Sequence, residues 1–94
     1  MTLTQLRYVA KIAECGSITE AARQLYISQP SLSTAVRELE GELGIVIFNR
    51  SARGISLTPD GSEFLSYARQ ILEQTELVEP VSYTHLTLPT TPYV

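Results

Sequence analysis

A chain of 94 residues with 44% hydrophobic and 18% charged side chains has room for one small globular domain and lacks the bias of a disordered or membrane-embedded protein. Its longest apolar run, Ile45–Phe48, falls far short of the roughly 20 residues a bilayer span needs, and Met1–Gln5 lacks the basic and apolar regions of a secretory signal. The single cysteine, Cys15, excludes an internal disulfide and fits a reducing cytoplasm, with the residue serving as small filler near a helix end.

The net charge of −3 speaks against a nucleic-acid partner until its distribution is read. Residues 1–60 carry six basic and six acidic side chains, while residues 61–94 carry one basic against four acidic. No acid lies between Leu43 and Pro59, where Arg50 and Arg53 sit, so a positive tip stands on a neutral body.

Leu6, Val9, Ala10 and Ala13 recur at i, i+3, i+4 and i+7 and predict a first helix over Thr4–Glu14, closed by Gly16. Ser17-Ile-Thr-Glu20 reads as a capping box, with the Ser17 hydroxyl accepting from the Glu20 amide and the Glu20 carboxylate reaching back to Ser17. Ile18, Ala21, Ala22 and Leu25 give the stripe of a short second helix whose paired alanines admit a close neighbour. After a break at Tyr26-Ile27-Ser28, Ser28-Gln29-Pro30 starts a third helix, expected over residues 28–43. Its apolar stripe is Leu32, Val36, Leu39 and Leu43, and its stop is Gly44.

Ile45–Phe48 and Ile55–Leu57 predict two strands around an Asn49–Gly54 turn, a small hairpin. Thr58-Pro59 opens a last helix in which Phe64, Ala68, Ile71, Thr75 and Val78 alternate spacings of four and three, a seam suited to pairing with a second copy. Glu79-Pro80 is expected to end it. Residues 81–94 hold four threonines, two prolines and no charge, and resemble a short foreign tail; they are expected to be non-native or disordered, and His85 within them receives no role.

The fold class expected is therefore mainly α: a winged helix-turn-helix of three helices and a two-stranded wing over residues 1–58, followed by a dimerisation helix over 59–80. In a helix-turn-helix the second helix of the pair enters the major groove and turns its first residues to base edges. Here that helix offers Gln29, Ser31, Ser33 and Thr34, with Arg37 two turns on, while Arg50 and Arg53 suit backbone or minor-groove contact. Paired His, Asp and Glu residues, a phosphate-cradling glycine loop and metal-ligand spacing are all missing from the sequence, which predicts no enzyme, cofactor or metal. The competing reading is an interaction module that dimerises through Phe64–Val78 without useful affinity for DNA.

Ser17-Ile-Thr-Glu-Ala-Ala-Arg-Gln-Leu25, Ile27-Ser-Gln-Pro-Ser-Leu-Ser33, Leu39-Glu-Gly-Glu-Leu-Gly44, and Phe48-Asn-Arg50 through Gly54-Ile-Ser-Leu-Thr-Pro-Asp-Gly61 together resemble the LysR-type transcriptional regulators. The resemblance runs without a gap over residues 1–79. It implies double-stranded DNA as partner, recognition-helix contacts from Ser28, Gln29, Pro30, Ser31, Ser33, Thr34 and Arg37, and wing contacts from Arg50 and Arg53. It also implies a homodimer through the linker helix, a tetramer in the intact parent, access to RNA polymerase, and a separate effector domain that these residues do not include. Thr34 departs from the longer basic or amide side chain the family often carries there.

Overall fold

The computed structural model describes residues 1–51 and 54–84, with residues 76–84 described as helix backbone. The element order is α1 (Leu3–Cys15), α2 (Ile18–Leu25), α3 (Gln29–Leu43), β1 (Phe48–Ser51), β2 (Gly54–Leu57) and α4 (Pro59–Thr84). Three helices, a two-stranded antiparallel sheet and a long closing helix make a mainly helical winged helix-turn-helix. Arg53 and residues 85–94, including His85, lie outside the described residues.

Short-range capping sets the first three helices. Thr2 and Gln5 close a reciprocal capping box on α1, with Gln5 N–H donating to the Thr2 hydroxyl at 3.1 Å and Thr2 N–H to the Gln5 side-chain Oε1 at 2.9 Å. On α2 only half of the predicted box forms. Ser17 Oγ accepts from Glu20 N–H at 3.1 Å, but the Glu20 carboxylate takes hydrogen bonds from Arg23 and Gln24 instead of returning to Ser17. The i,i+3 and i,i+4 positions of those partners put two side-chain donors, one of them charged, beside the carboxylate. Gly44 ends α3 in the left-handed region at φ 72°, and its N–H donates to Glu40 O at 2.8 Å.

The core is one cluster. Val9 and Ile12 of α1 meet Ala21 and Ala22 of α2 and Leu32, Val36 and Leu39 of α3, all buried, and Leu6 of α1 is buried as well. The paired alanines are both buried, Ala21 completely, and leave little side-chain volume between α2 and its neighbours. Each buried leucine contributes about 1.5–3 kcal/mol through the apolar surface it removes from water.

The wing starts later than the apolar run suggested. Ile45–Ile47 form an irregular connection, and β1 begins at Phe48, paired to Leu57, with Asn49 opposite Ser56, Arg50 opposite Ile55 and Ser51 opposite Gly54. Ile47 and Phe48 are needed as core plugs, and their amides are taken by one side chain: Glu40 Oε2 of α3 accepts from Ile47 N–H at 2.8 Å and Phe48 N–H at 3.2 Å. With those donors committed to a carboxylate, the run before Phe48 has no strand to pair with.

Thr58 then locks α4 to this connection. Its N–H donates to Ile47 O at 3.0 Å, its hydroxyl donates to Val46 O, and its oxygen accepts from Gly61 N–H at 2.8 Å. Gly61 is pressed so closely that a Cβ there would lie 2.0 Å from Ile47 O. From this anchor α4 runs back along α1, burying Leu65 and Ala68. It does not stop at Glu79-Pro80 but continues to Thr84, taking in the first four residues assigned to a tail. Pro80, whose fixed φ is itself helical, costs α4 one i→i−4 hydrogen bond and crowds the carbonyl four residues back, without ending the helix.

Candidate nucleic-acid interface

The start of α2, the start of α3 and the wing meet at one cleft, where Gln29 and Arg50 come together. Ile18–Leu25 and Gln29–Leu43 are joined through Tyr26, which caps α2 at φ 60° and is the one non-glycine residue with positive φ among the described residues. The Tyr26 N–H donates to Arg23 O at 3.2 Å and the Ile27 N–H to Ala22 O at 3.1 Å, so the turn is tightly wound. Tyr26 itself is 93% exposed.

Ser28 follows as N-cap of α3. Its Oγ accepts from Ser31 N–H at 3.2 Å and donates to Ser31 Oγ at 2.8 Å, so these two serines serve first to start the helix. Gln29, Pro30, Ser31, Thr34 and Arg37 are exposed and Ser33 is half-buried, while Leu32, Val36 and Leu39 point into the core. The 3.6-residue repeat therefore separates a polar surface from the hydrophobic one, as the sequence predicted. The first amides of α3 add a partial positive charge that favours a phosphate or other anion.

Across a cleft of about 280 Å³ stands the wing. Arg50 and Gly54 line one side, Ser17 and Thr19 the α2 side, and Gln29 the start of α3. Arg37 and Arg50 are both exposed, and neither has a hydrogen bond or ion pair among the described residues. On the flanks Lys11 pairs with Glu14 at 3.3 Å and Arg23 with Glu20. The hydrogen bond from Arg23, backed by that from Gln24, holds the Glu20 carboxyl down at a pKa of about 2 and raises the Arg23 pKa in turn. Arg23 is thus an ion-paired cation, whereas Arg37 and Arg50 have no acidic partner among the described residues.

Sequence reasoning missed two residues at this surface. Thr19 Oγ1 donates to Gln29 Oε1 at 3.3 Å, a contact between helices that no periodicity reveals. Glu38 lies exposed on the same helical side as Pro30 and Thr34, an acid one helical turn beyond Thr34, and its i+4 spacing was the available signal.

The predicted dimer seam splits in two. Ala68 is fully buried against the chain's own core, in a stripe with Gly61, Leu65 and the half-buried Leu72, so it is not available to a second copy. The outward stripe is Phe64, half-buried, with Tyr67 at 57% and Ile71 at 39% exposure, and Val46 stands 58% exposed on the adjoining connection. Thr75, half-buried, turns its hydroxyl to Ile71 O at 3.1 Å. The side chain of Val78 lies outside the described residues. Tyr67 is the residue the seam overlooked, because a strict four-three alternation passes over it.

With this geometry in hand the relatives are decisive. The family described as bacterial regulatory helix-turn-helix protein, LysR family, matches residues 3–62. The chain belongs to the LysR family. This LysR-family domain is 49% identical over 73 residues to the HTH-type transcriptional regulator TfdS of Cupriavidus pinatubonensis, covering 78% of the chain and 25% of that regulator. The chain thus spans about a quarter of the length of the curated relatives it matches. Among solved structures it is similar to a CbnR DNA-binding domain–DNA complex (TM-score 0.84, 39% identity, 93% of this chain and 100% of that one). It is also similar to a BenM DNA-binding domain in complex with catB site 1 DNA (TM-score 0.87, 35% identity, 95% and 100%). Among the described residues no helix is long and apolar enough to cross a membrane.

Proposed function

We propose that this LysR-family domain binds double-stranded DNA sequence-specifically, with the N-terminal half of α3 in the major groove and the wing on the backbone or minor groove. The observation that carries this reading is exposed Arg50 lining the same cleft as Gln29, with Arg37 exposed two turns further along α3 and neither arginine paired among the described residues. The likeness to two DNA-binding domains solved as DNA complexes supports it. Ser28, Gln29, Pro30, Ser31, Ser33 and Thr34 form the close-approach surface, Arg37 reaches a base or a phosphate, and Arg50 and Arg53 hold the backbone.

The domain works as a homodimer through Phe64, Tyr67, Ile71, Thr75 and Val78 of α4, placing two recognition helices in grooves about 34–36 Å apart. In the longer protein it belongs to a tetramer within reach of RNA polymerase, acts in the cytoplasm, and performs no catalysis of its own. Exposed Tyr67 and Ile71 support the dimer, since large apolar side chains gathered on one surface gain by being covered.

A mobility-shift titration on duplexes selected from a random pool tests the reading. Arg37→Ala costs about 1–3 kcal/mol if it reads a base, or weakens all duplexes alike and lowers the salt slope by about one if it holds a phosphate. Unchanged binding in both Arg37→Ala and Arg50→Ala sinks the proposed surface. A stable dimer by sedimentation that shifts no duplex favours the interaction-module reading instead.

A further inference from the structure

Thr19 is the second residue of α2 and Gln29 the first of α3, so ten residues and a turn separate them in sequence. The fold closes that gap. Thr19 Oγ1 donates to Gln29 Oε1 at 3.3 Å across the mouth of the cleft that Arg50 lines from the other side. Both side chains are exposed, so neither is held there by burial. Thr19 is not needed to cap α2, because Ser17 fills that position. The hydrogen bond therefore has no evident structural duty.

Its consequence falls on Gln29. A glutamine side chain has three rotatable bonds, and fixing them on contact with a ligand costs conformational entropy. A carboxamide already anchored at its oxygen has given up part of that freedom beforehand, which raises affinity without a new contact to the ligand. The anchor also sets a sense of direction. With one oxygen lone pair engaged towards α2, the NH2 group leads outward as two donors, matched to the N7 and O6 acceptors of guanine, the N7 of adenine or the O4 of thymine. Accepting from Thr19 further polarises the amide and strengthens those donors.

Resting on the DNA-binding reading above, we infer that Thr19 is a positioning residue for base readout by Gln29. It fixes the carboxamide so that base preference depends on a side chain that itself touches no base.

The test has one arm without DNA and one with it. In the free protein, 15N relaxation of the Gln29 side-chain NH2 reports its mobility. The wild type is expected to be restrained, Thr19→Val loosened and Thr19→Ser restored, because valine keeps the branched shape and serine keeps the hydroxyl. Equal mobility in all three overturns the proposal whatever happens on DNA. On duplexes selected by the wild type, Thr19→Val is expected to lose roughly three- to tenfold in preference at one base pair, the factor one hydrogen bond supplies. In the Gln29→Ala background the same substitution changes nothing further. Additive effects of Thr19→Val and Gln29→Ala on a duplex that the wild type does bind overturn this inference alone. A wild type that selects no duplex sinks the DNA reading and the base-preference claim together, and leaves the relaxation arm to decide whether Thr19 holds Gln29.

Discussion

From α1 to α3, each helix is opened and closed by residues three or four positions away: Thr2 with Gln5, Ser17 with Glu20, Ser28 with Ser31, Gly44 with Glu40. The wing and the root of α4 are held otherwise. Glu40 reaches seven and eight residues to Ile47 and Phe48, Thr58 reaches back eleven and twelve to Ile47 and Val46, and Gly61 lies against the Ile47 carbonyl. The helical half is thus built mainly from local caps and one buried stripe per helix, with Gln5 to Ala35 and Thr19 to Gln29 as its ties between helices. The second half is a set of long-range clasps around a single irregular connection, Ile45–Ile47. Local rules tolerate small changes, whereas a clasp built on close backbone approach does not.

The largest effect expected of the helical half is Leu39→Ala. Leu39 is fully buried among α1, α2 and α3, and its truncation should cost about 2–5 kcal/mol in denaturant unfolding and loosen all three helices together. Gly61→Ala should come next, at about 1–3 kcal/mol, since a Cβ 2.0 Å from Ile47 O forces the backbone to move. Hydrogen exchange sharpens the comparison: amides of the wing and the first turn of α4 should lose protection before those of α3. Uniform loss across α2 and α3 would show that the two halves are not separable in this way.

A smaller effect, of opposite sign, tests the turn. Tyr26→Gly relieves a left-handed conformation at φ 60° and should stabilise the fold by about 1 kcal/mol, because the exposed ring contributes little packing. A lower melting temperature would mean that the ring does pack in the turn.

The smallest concerns Glu20. Its folded pKa, held near 2 by Arg23 and Gln24, lies below the ordinary 4.5, so its contribution is present above that ordinary value and is lost as pH falls towards 2. The melting-temperature difference between wild type and Glu20→Gln should be slight at pH 7, as both partners are exposed, and should shrink as pH falls towards 2. A gap that widens on acidification would contradict the pairing.

How far the sequence could be read follows the same division. Leu32, Val36 and Leu39, the Ala21–Ala22 pair and the Ser28-Gln29-Pro30 helix start were legible because each is set by neighbours within a turn or two. So was the surface that these leave outward, from Gln29 to Arg37. The Ile45–Phe48 strand was misplaced because β-branched composition does not reveal that Glu40 claims two of its amides. The α4 seam mixed two stripes because Ala68 is as compatible with an inward as an outward heptad position, and only α1 decides between them. Thr19 escaped notice for a similar reason: its partner Gln29 lies on another helix.

The central claim is that α3 reads DNA through its exposed first turns with help from the wing. Selection of duplexes from a random pool by the wild-type chain, repeated with Gln29→Ala and Arg37→Ala, tests it most directly. The account predicts an enriched two-fold-related motif with half-sites about 34–36 Å apart. Each variant should flatten the preference at its own base pair or lower the overall affinity. A wild type that enriches nothing, or variants that enrich the same motif with undiminished affinity, would contradict it.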